Sequence, residues 1–201
     1  MKVAAIVLAA GLSSRMAKGN KLLADLGGKP VLRHTLDNVL ASQADPVVVV
    51  TGHQAGDVEK LIQGLPVKPC YNPQFAEGMA TSLAAGIAGL PLDVAAALIF
   101  LGDMPLIGGD VIDQIIDGFD PGKGKTIVVP VHGGRRGHPV LWGRAHFADL
   151  VALKGDQGAR QLLSGHAGEI AECDAGSDAI FADADTPEAL ARLRARIATA
   201  L

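Results

Sequence analysis

An unbroken apolar run over residues 3–8 empties into a loop of small residues, Ala9-Ala10-Gly11-Leu12-Ser13-Ser14, after which Arg15 and then Lys21 bring positive charge to the same mouth. No other feature narrows the fold so far. A short run without alternation reads as a strand buried on both faces, and such a strand needs helices over each side of its sheet. Small residues let backbone amides approach a ligand closely. A strand ending in such a loop beside two cations is the arrangement a polyphosphate requires. The loop is neither a P-loop nor the dinucleotide fingerprint G-x-G-x-x-G. On residues alone, an ordinary strand-to-helix turn and a nucleotide loop stand equal.

Strand-like and helix-like stretches alternate along the rest of the chain. Val31, Leu32, Thr35, Leu36, Val39 and Leu40 recur at helical spacing, and residues 47–50 form a β-branched run. Val58, Leu61, Ile62 and Leu65 mark a second helix, residues 67–71 a short strand, and Met79, Leu83, Ile87 and Leu90 a third helix. Residues 95–101 are the most hydrophobic strand. Asp110 is expected to cap the following helix, which carries Val111, Ile112, Ile115 and Ile116. Further strands are expected at 126–131 and 139–142, helical stretches at 145–151 and 158–163, and a last strand near Ile180 and Phe181. Thr186 before Pro187 reads as a cap with proline at the first helical position, opening a helix with Leu190, Leu193 and Ile197. This order predicts an α/β fold, three-layer α/β/α with a mostly parallel central sheet, as a single domain over residues 1–201. Ligands then belong at the edge where the parallel strands end.

Hydrophobic residues make up 49% of the chain but aromatics only 3%, so the core must be Ala, Val, Leu and Ile. A net charge of −3 supplies no global field for nucleic acid, and any anion site must be local. No apolar run is long enough for a bilayer, and Met1-Lys2 leads straight into a strand, so a cytoplasmic protein without signal peptide is expected. Cys70 and Cys173 have no metal spacing; two reduced thiols are expected, with a disulfide left open.

Several motifs carry chemistry. Leu101-Gly102-Asp103-Met104-Pro105 puts a carboxylate directly after the most buried strand, with Gly102 read as allowing close approach of a ligand. Asp103 is a hard oxygen donor suited to magnesium held jointly with phosphates, or else a turn residue bonding its own backbone. Asn72-Pro73 and Glu77-Gly78-Met79-Ala80-Thr81-Ser82 form a polar loop opening a helix, whose free amides would meet a phosphate or a base edge. Arg135-Arg136-Gly137-His138-Pro139 and Gly155-Asp156-Gln157-Gly158-Ala159-Arg160 are either anion-facing loops or solvated surface. Asp183 and Asp185, two apart in an extended segment, point the same way and can reach a metal; Asp185 alternatively serves the helix start. No nucleophile–base pair stands out, and His34, His53, His132, His146 and His166 read as surface or packing residues.

The segments LAAGLSSRM, NKLLADLGGKPVLRHTL, NPQFAEGMATSLAAGI, LGDMP, GHPVLW, GDQGARQLL and DADTPEAL, in this order across nearly the whole chain, resemble the MobA-like NTP transferase family. Within it they are most similar to the molybdenum cofactor cytidylyltransferase branch. The resemblance implies a Rossmann-like nucleotidyltransferase fold and transfer of CMP from CTP to the terminal phosphate of molybdopterin, releasing pyrophosphate. It implies that Leu8, Ala9, Ala10 and Gly11 line the nucleotide with Asn72 and Ser82 nearby, that Arg15 and Lys21 meet the triphosphate, and that Asp103 binds Mg2+; Asp185, from the paired carboxylates, is expected as its second ligand. It places His138, Asp156, Arg160, Asp183 and Asp185 on the side of the pterin substrate. Ala10, where the guanylyl branch more often has a second glycine, favours CTP. GMP transfer from GTP, cytidylyl transfer to a sugar or polyol phosphate, and a non-catalytic role delivering cofactor to a recipient molybdoenzyme remain as alternatives.

Overall fold

The structure, a computed structural model, describes residues 1–13, 19–156 and 158–199. In chain order it contains strand β1 (Lys2–Ala9), the small hairpin β2 (Asp25–Leu26) and β3 (Lys29–Pro30), helix α1 (Val31–Leu40), β4 (Val47–Thr51), α2 (Ala55–Ile62), β5 (Lys68–Tyr71) and α3 (Met79–Ala88). The second half adds β6 (Val94–Leu101), α4 (Gly109–Asp117), β7 (Ile127–His132), β8 (Arg135–Arg136), β9 (Val140–Gly143), α5 (Phe147–Ala152), β10 (Ile170–Asp174) and α6 (Pro187–Ala198).

The main sheet runs β10-β7-β9-β6-β1-β4-β5, with β8 added to β7. Strands β5, β4, β1 and β6 are parallel, as are β7 and β10; β9 runs antiparallel between β6 and β7. The sheet is therefore mostly parallel, as expected. Strand β1 shows why its sequence carries no alternation. Val3, Ala5, Val7 and Ala9 enter one core with Leu36 of α1, Val58 of α2 and Ile112 of α4. Ala4, Ile6 and Ala10 enter the other, with Leu83 of α3 and Leu150 of α5. Both faces are dry, so period-2 patterning vanishes. A smaller core joins Leu26 and Val31 to Ala184, Leu190 and Leu193, which seats α6 beside the β2–β3 hairpin.

Two local expectations are corrected. Asp110 does not cap α4: Gly108 takes that position without a side-chain bond, and Asp110 lies inside the first turn. There its negative charge still favours the helix dipole. Residues 178–181 form a 3-10 turn, not a strand, because the Ser177 hydroxyl accepts from the Ala179 amide and starts a helical turn. The last strand is instead β10, at the sheet edge. Its partly exposed residues Glu172 and Asp174 hide its strand character, and Glu172 pairs with Arg136 at 2.7 Å. Cys70 and Cys173 are both unbridged thiols. No helix among the described residues is long and apolar enough to cross a membrane.

The start of α6 follows the expected chemistry. Thr186 accepts from the Ala189 amide at 3.2 Å and Pro187 stands at the first helical position. Thr186→Ala should lower unfolding free energy by about 1 kcal/mol, the usual worth of a lost cap, while Thr186→Ser keeps most of it. Urea denaturation of the three proteins checks this.

Candidate functional site

The site begins where β1 and β6 end side by side, Leu8 opposite Leu101 in parallel register. The Gly102 amide donates to the Leu8 carbonyl at 3.0 Å. A Cβ on Gly102 would stand 2.9 Å from that oxygen and 3.1 Å from Leu32, so the glycine is required by β1 and α1. It does not open a path for a ligand, as its position had suggested. The next residue, Asp103, is only 4% exposed. Its carbonyl accepts from the Ala184 amide at 3.0 Å, and this bond draws Asp183 and Asp185 to the same rim.

Lys21 arrives from the other side on a short 3-10 turn. Asn20 caps that turn by accepting from the Leu22 amide at 3.0 Å, and the Ser13 hydroxyl accepts from the Lys21 amide at 3.2 Å. The Lys21 ammonium then donates to Asp103 Oδ2 at 2.5 Å and to Asp185 Oδ1. Burial works against this ammonium, but attraction and hydrogen bonds from Asp103, then Asp185, outweigh it and hold its pKa above the ordinary lysine value. Burial, with the nearby Asp103 charge, pushes the Asp183 carboxyl up. Asp103 and Asp185 thus converge on one positive centre, and two such oxygen donors also suit a hard divalent cation.

A cavity of about 390 Å³ opens above these groups. Of the expected residues, Leu8, Ala10, Gly11, Lys21, Ser82, Asp103, Asp156, Asp183 and Asp185 line it. Arg15 lies outside the described residues. Ala9 does not line the cavity: strand alternation turns its methyl into the core, where it is 1% exposed. Asn72 does not line it either; it is a buried bracket, donating to Thr81 at 2.9 Å and Ser82 at 3.0 Å and accepting from the Gln74 amide at 2.9 Å. Arg160 is exposed and donates to the Arg136 carbonyl. His138 is half-buried beside the rim, and its Nδ1 has no partner among the described residues. Burial, then the Arg160 charge, hold its pKa below the usual imidazole value against the pull of Asp103.

Two of the amides at the start of α3 are spent internally. Ala80 donates to the Gly155 carbonyl at 3.0 Å and Thr81 to Gly78 at 3.3 Å. Gly78 has φ of +115°, and a Cβ there would meet the Gly155 carbonyl carbon at 2.3 Å. The expectation of free amides is corrected for Ala80 and Thr81 on that ground. The contact instead docks Gly155 on α3 and sets Asp156 at the cavity. Sequence reasoning missed the apolar lining from Leu12, Phe75 and Met79. Phe75 carried a signal, as one of five phenylalanines and set in a polar loop.

A family model described as the MobA-like NTP transferase domain matches residues 5–171. The bifunctional protein GlmU of Pelobacter propionicus is 36% identical over 131 residues, covering 63% of this chain and 28% of that protein. The chain thus spans about a quarter of the length of the curated relatives it matches. Among solved structures, a nucleotidyl transferase from Methanothermobacter superposes with a TM-score of 0.87 at 25% identity, covering 100% of this chain and 99% of that one. The Mycobacterium sp. strain JC1 homologue of Mycobacterium tuberculosis Rv0371c gives 0.84 at 26% identity, with 100% of both chains covered.

Lys21→Met should destabilise the fold at pH 8 by roughly 1–3 kcal/mol, because it leaves Asp103 buried without its counter-charge. A lysine whose folded pKa is raised contributes fully below its unfolded pKa of about 10.4 and loses that contribution as pH rises through the folded value. The gap between wild type and Lys21→Met should therefore narrow in urea titrations as pH rises past the unfolded lysine value.

Proposed function

Because the chain belongs to the MobA-like NTP transferase family, we propose that it transfers CMP from CTP to the terminal phosphate of molybdopterin, releasing pyrophosphate. The observation that carries this reading is the meeting of Lys21, Asp103 and Asp185 at the mouth of the β1 loop. The branch and the acceptor rest on the ordered motifs, above all Ala10 and the GMATSL, GHP and GDQGAR segments.

In this reading Leu8, Ala10 and Gly11 frame the nucleotide, with Phe75 and Met79 offering apolar surface to it. Asp103 and Asp185 hold Mg2+, which when bound supplies Lewis-acid neutralisation of phosphate oxygens. Lys21, released from the carboxylates, follows the phosphates and stabilises the departing pyrophosphate together with Arg15. The acceptor lies toward Asp156, Asp183, His138 and Arg160. A phosphate monoester has a second pKa of about 6, so its oxygen is already anionic near neutrality and needs no general base. Positioning and charge neutralisation then carry the rate. The use of CTP fits a cytoplasmic enzyme, with a recipient molybdoenzyme as the downstream partner.

The test supplies Mg2+, molybdopterin or its metal-loaded form, and each of four nucleoside triphosphates in turn, with pyrophosphate and the dinucleotide product measured. CTP alone should support release and give the cytosine dinucleotide. A guanine product would move the assignment to GTP, and no release with any of the four would defeat the reading. Asp103→Asn should lower turnover by about 100-fold or more, the scale of losing a metal-borne charge, with its circular dichroism spectrum retained. Lys21→Ala should weaken CTP binding more than CMP binding.

A further inference from the structure

A second cluster of ligating side chains lies on the opposite edge of the sheet. β9 runs antiparallel to β6, with Gly143 opposite Ala96, so residues following β9 sit where β6 begins. Arg144 confirms the placement by donating to the Val94 and Pro91 carbonyls. His146 closes the turn after β9, Asp149 lies in the first turn of α5, and His166 sits at a kink in the 3-10 stretch Ala159–Glu169. Thr126 and Glu169 immediately precede β7 and β10. The nucleotide cavity lies at the other ends of these strands.

The two rings stand edge to face, with centroids 4.6 Å apart. Their protons can be assigned by counting donors. Glu169 is a carboxylate and only accepts. It faces the Thr126 hydroxyl at 2.8 Å and His166 Nδ1 at 2.9 Å, so each of these donates to it. Thr126 has then spent its one proton and accepts from His146 Nε2 at 2.8 Å. Both imidazoles are thereby held in fixed tautomers, with lone pairs left on His146 Nδ1 and His166 Nε2. His166 Nε2 stands 3.8 Å from Asp149 Oδ2, an acceptor facing an acceptor. One nitrogen of each ring and one Asp149 oxygen lie within 4.8 Å of one another. Ligand atoms on tetrahedral zinc stand about 3.3 Å apart, given bonds of roughly 2.0–2.1 Å. Asp149 is 54% exposed at its side chain and has room to close that difference. A carboxylate behind a ligating histidine is the usual outer support of such a site, and Glu169 supplies it.

We propose that His146, His166 and Asp149 form a zinc site, oriented by Glu169 and Thr126, that ties the β9–α5 turn to the starts of β7 and β10. Two imidazoles and a carboxylate suit a borderline-soft divalent ion such as Zn2+ better than Mg2+. Three protein ligands leave the fourth tetrahedral position to a water.

The test uses the whole chain, stripped with EDTA, and zinc chloride alone as the probe in isothermal titration calorimetry. Asp103→Asn takes away one of the two carboxylates that the nucleotide rim would offer to a metal. In that background one zinc per chain should still bind with a Kd of micromolar or tighter, and raise the melting midpoint. Asp149→Asn should weaken binding at least tenfold, and His166→Ala should abolish it. Cobalt substituted for zinc should give the intense visible bands of a tetrahedral site while His166 is present. Zinc uptake lost entirely with Asp103→Asn, or unchanged by His166→Ala, would overturn the assignment. Should His166→Ala fail to fold, Asp149→Asn decides, because its side chain is exposed, and an unchanged affinity there would overturn the site equally.

Discussion

One ammonium group between two carboxylates holds the rim of the cavity together. Lys21, Asp103 and Asp185 come from the beginning, middle and end of the chain, and they meet at a single nitrogen. Carboxylates sharing one cation lie within roughly 5 Å of each other, where their repulsion in a partly dry site is about 3 kcal/mol. Asp183, whose carboxyl is pushed up by burial and by Asp103, adds to that strain. The rim therefore always needs positive charge. The lysine provides it in this structure; in the proposed reaction Asp103 and Asp185 would hold a divalent cation, and Lys21 would be free to follow the phosphates. An exchange of cations costs less than exposing bare acid, because the repulsion is never left unscreened.

The backbone makes the exchange feasible. Asp103 is fixed by the β1–β6 register, by the Gly102 amide on Leu8 and by the Ala184 amide on its own carbonyl. Ala184 is itself fully buried in the small core under α6. The carboxylates are thus set by packing on two sides, whereas Lys21 reaches them with a long side chain from a capped turn. Rigid acids and a pliable base are the combination a site needs if its cation is to change.

The layers and the ligand edge were legible in the sequence because they follow from local patterning. Residues 3–8 and 95–101 could only be strands buried on both faces, and a carboxylate just after such a strand had to reach the rim. Other features depended on partners far along the chain. Gly102 looked like a ligand-facing glycine, yet its neighbours are Leu8 and Leu32. The α3 amides looked available, yet Gly155, more than seventy residues on, takes one of them. Strand β10 escaped detection because Glu172 and Asp174, two apart on one face, are exposed and leave it little apolar pattern. His146 and His166 read as isolated histidines, and only the pairing of β7 with β10 brings Thr126 and Glu169 to them.

The two edges of the sheet differ in donor chemistry. At the rim where β1 and β6 end, the convergent donors are carboxylate oxygens, and a hard ion that exchanges readily suits them. At the opposite edge the donors include two imidazoles whose protons are committed to Glu169 and Thr126, which suits an ion that stays. Zinc is strongly preferred over magnesium by imidazole, and magnesium is abundant enough to fill weak oxygen sites with the help of substrate phosphates. If both sites are filled as proposed, the imidazoles keep magnesium out of one edge, while at the other the abundance of magnesium and the phosphates of the substrate decide which ion is held.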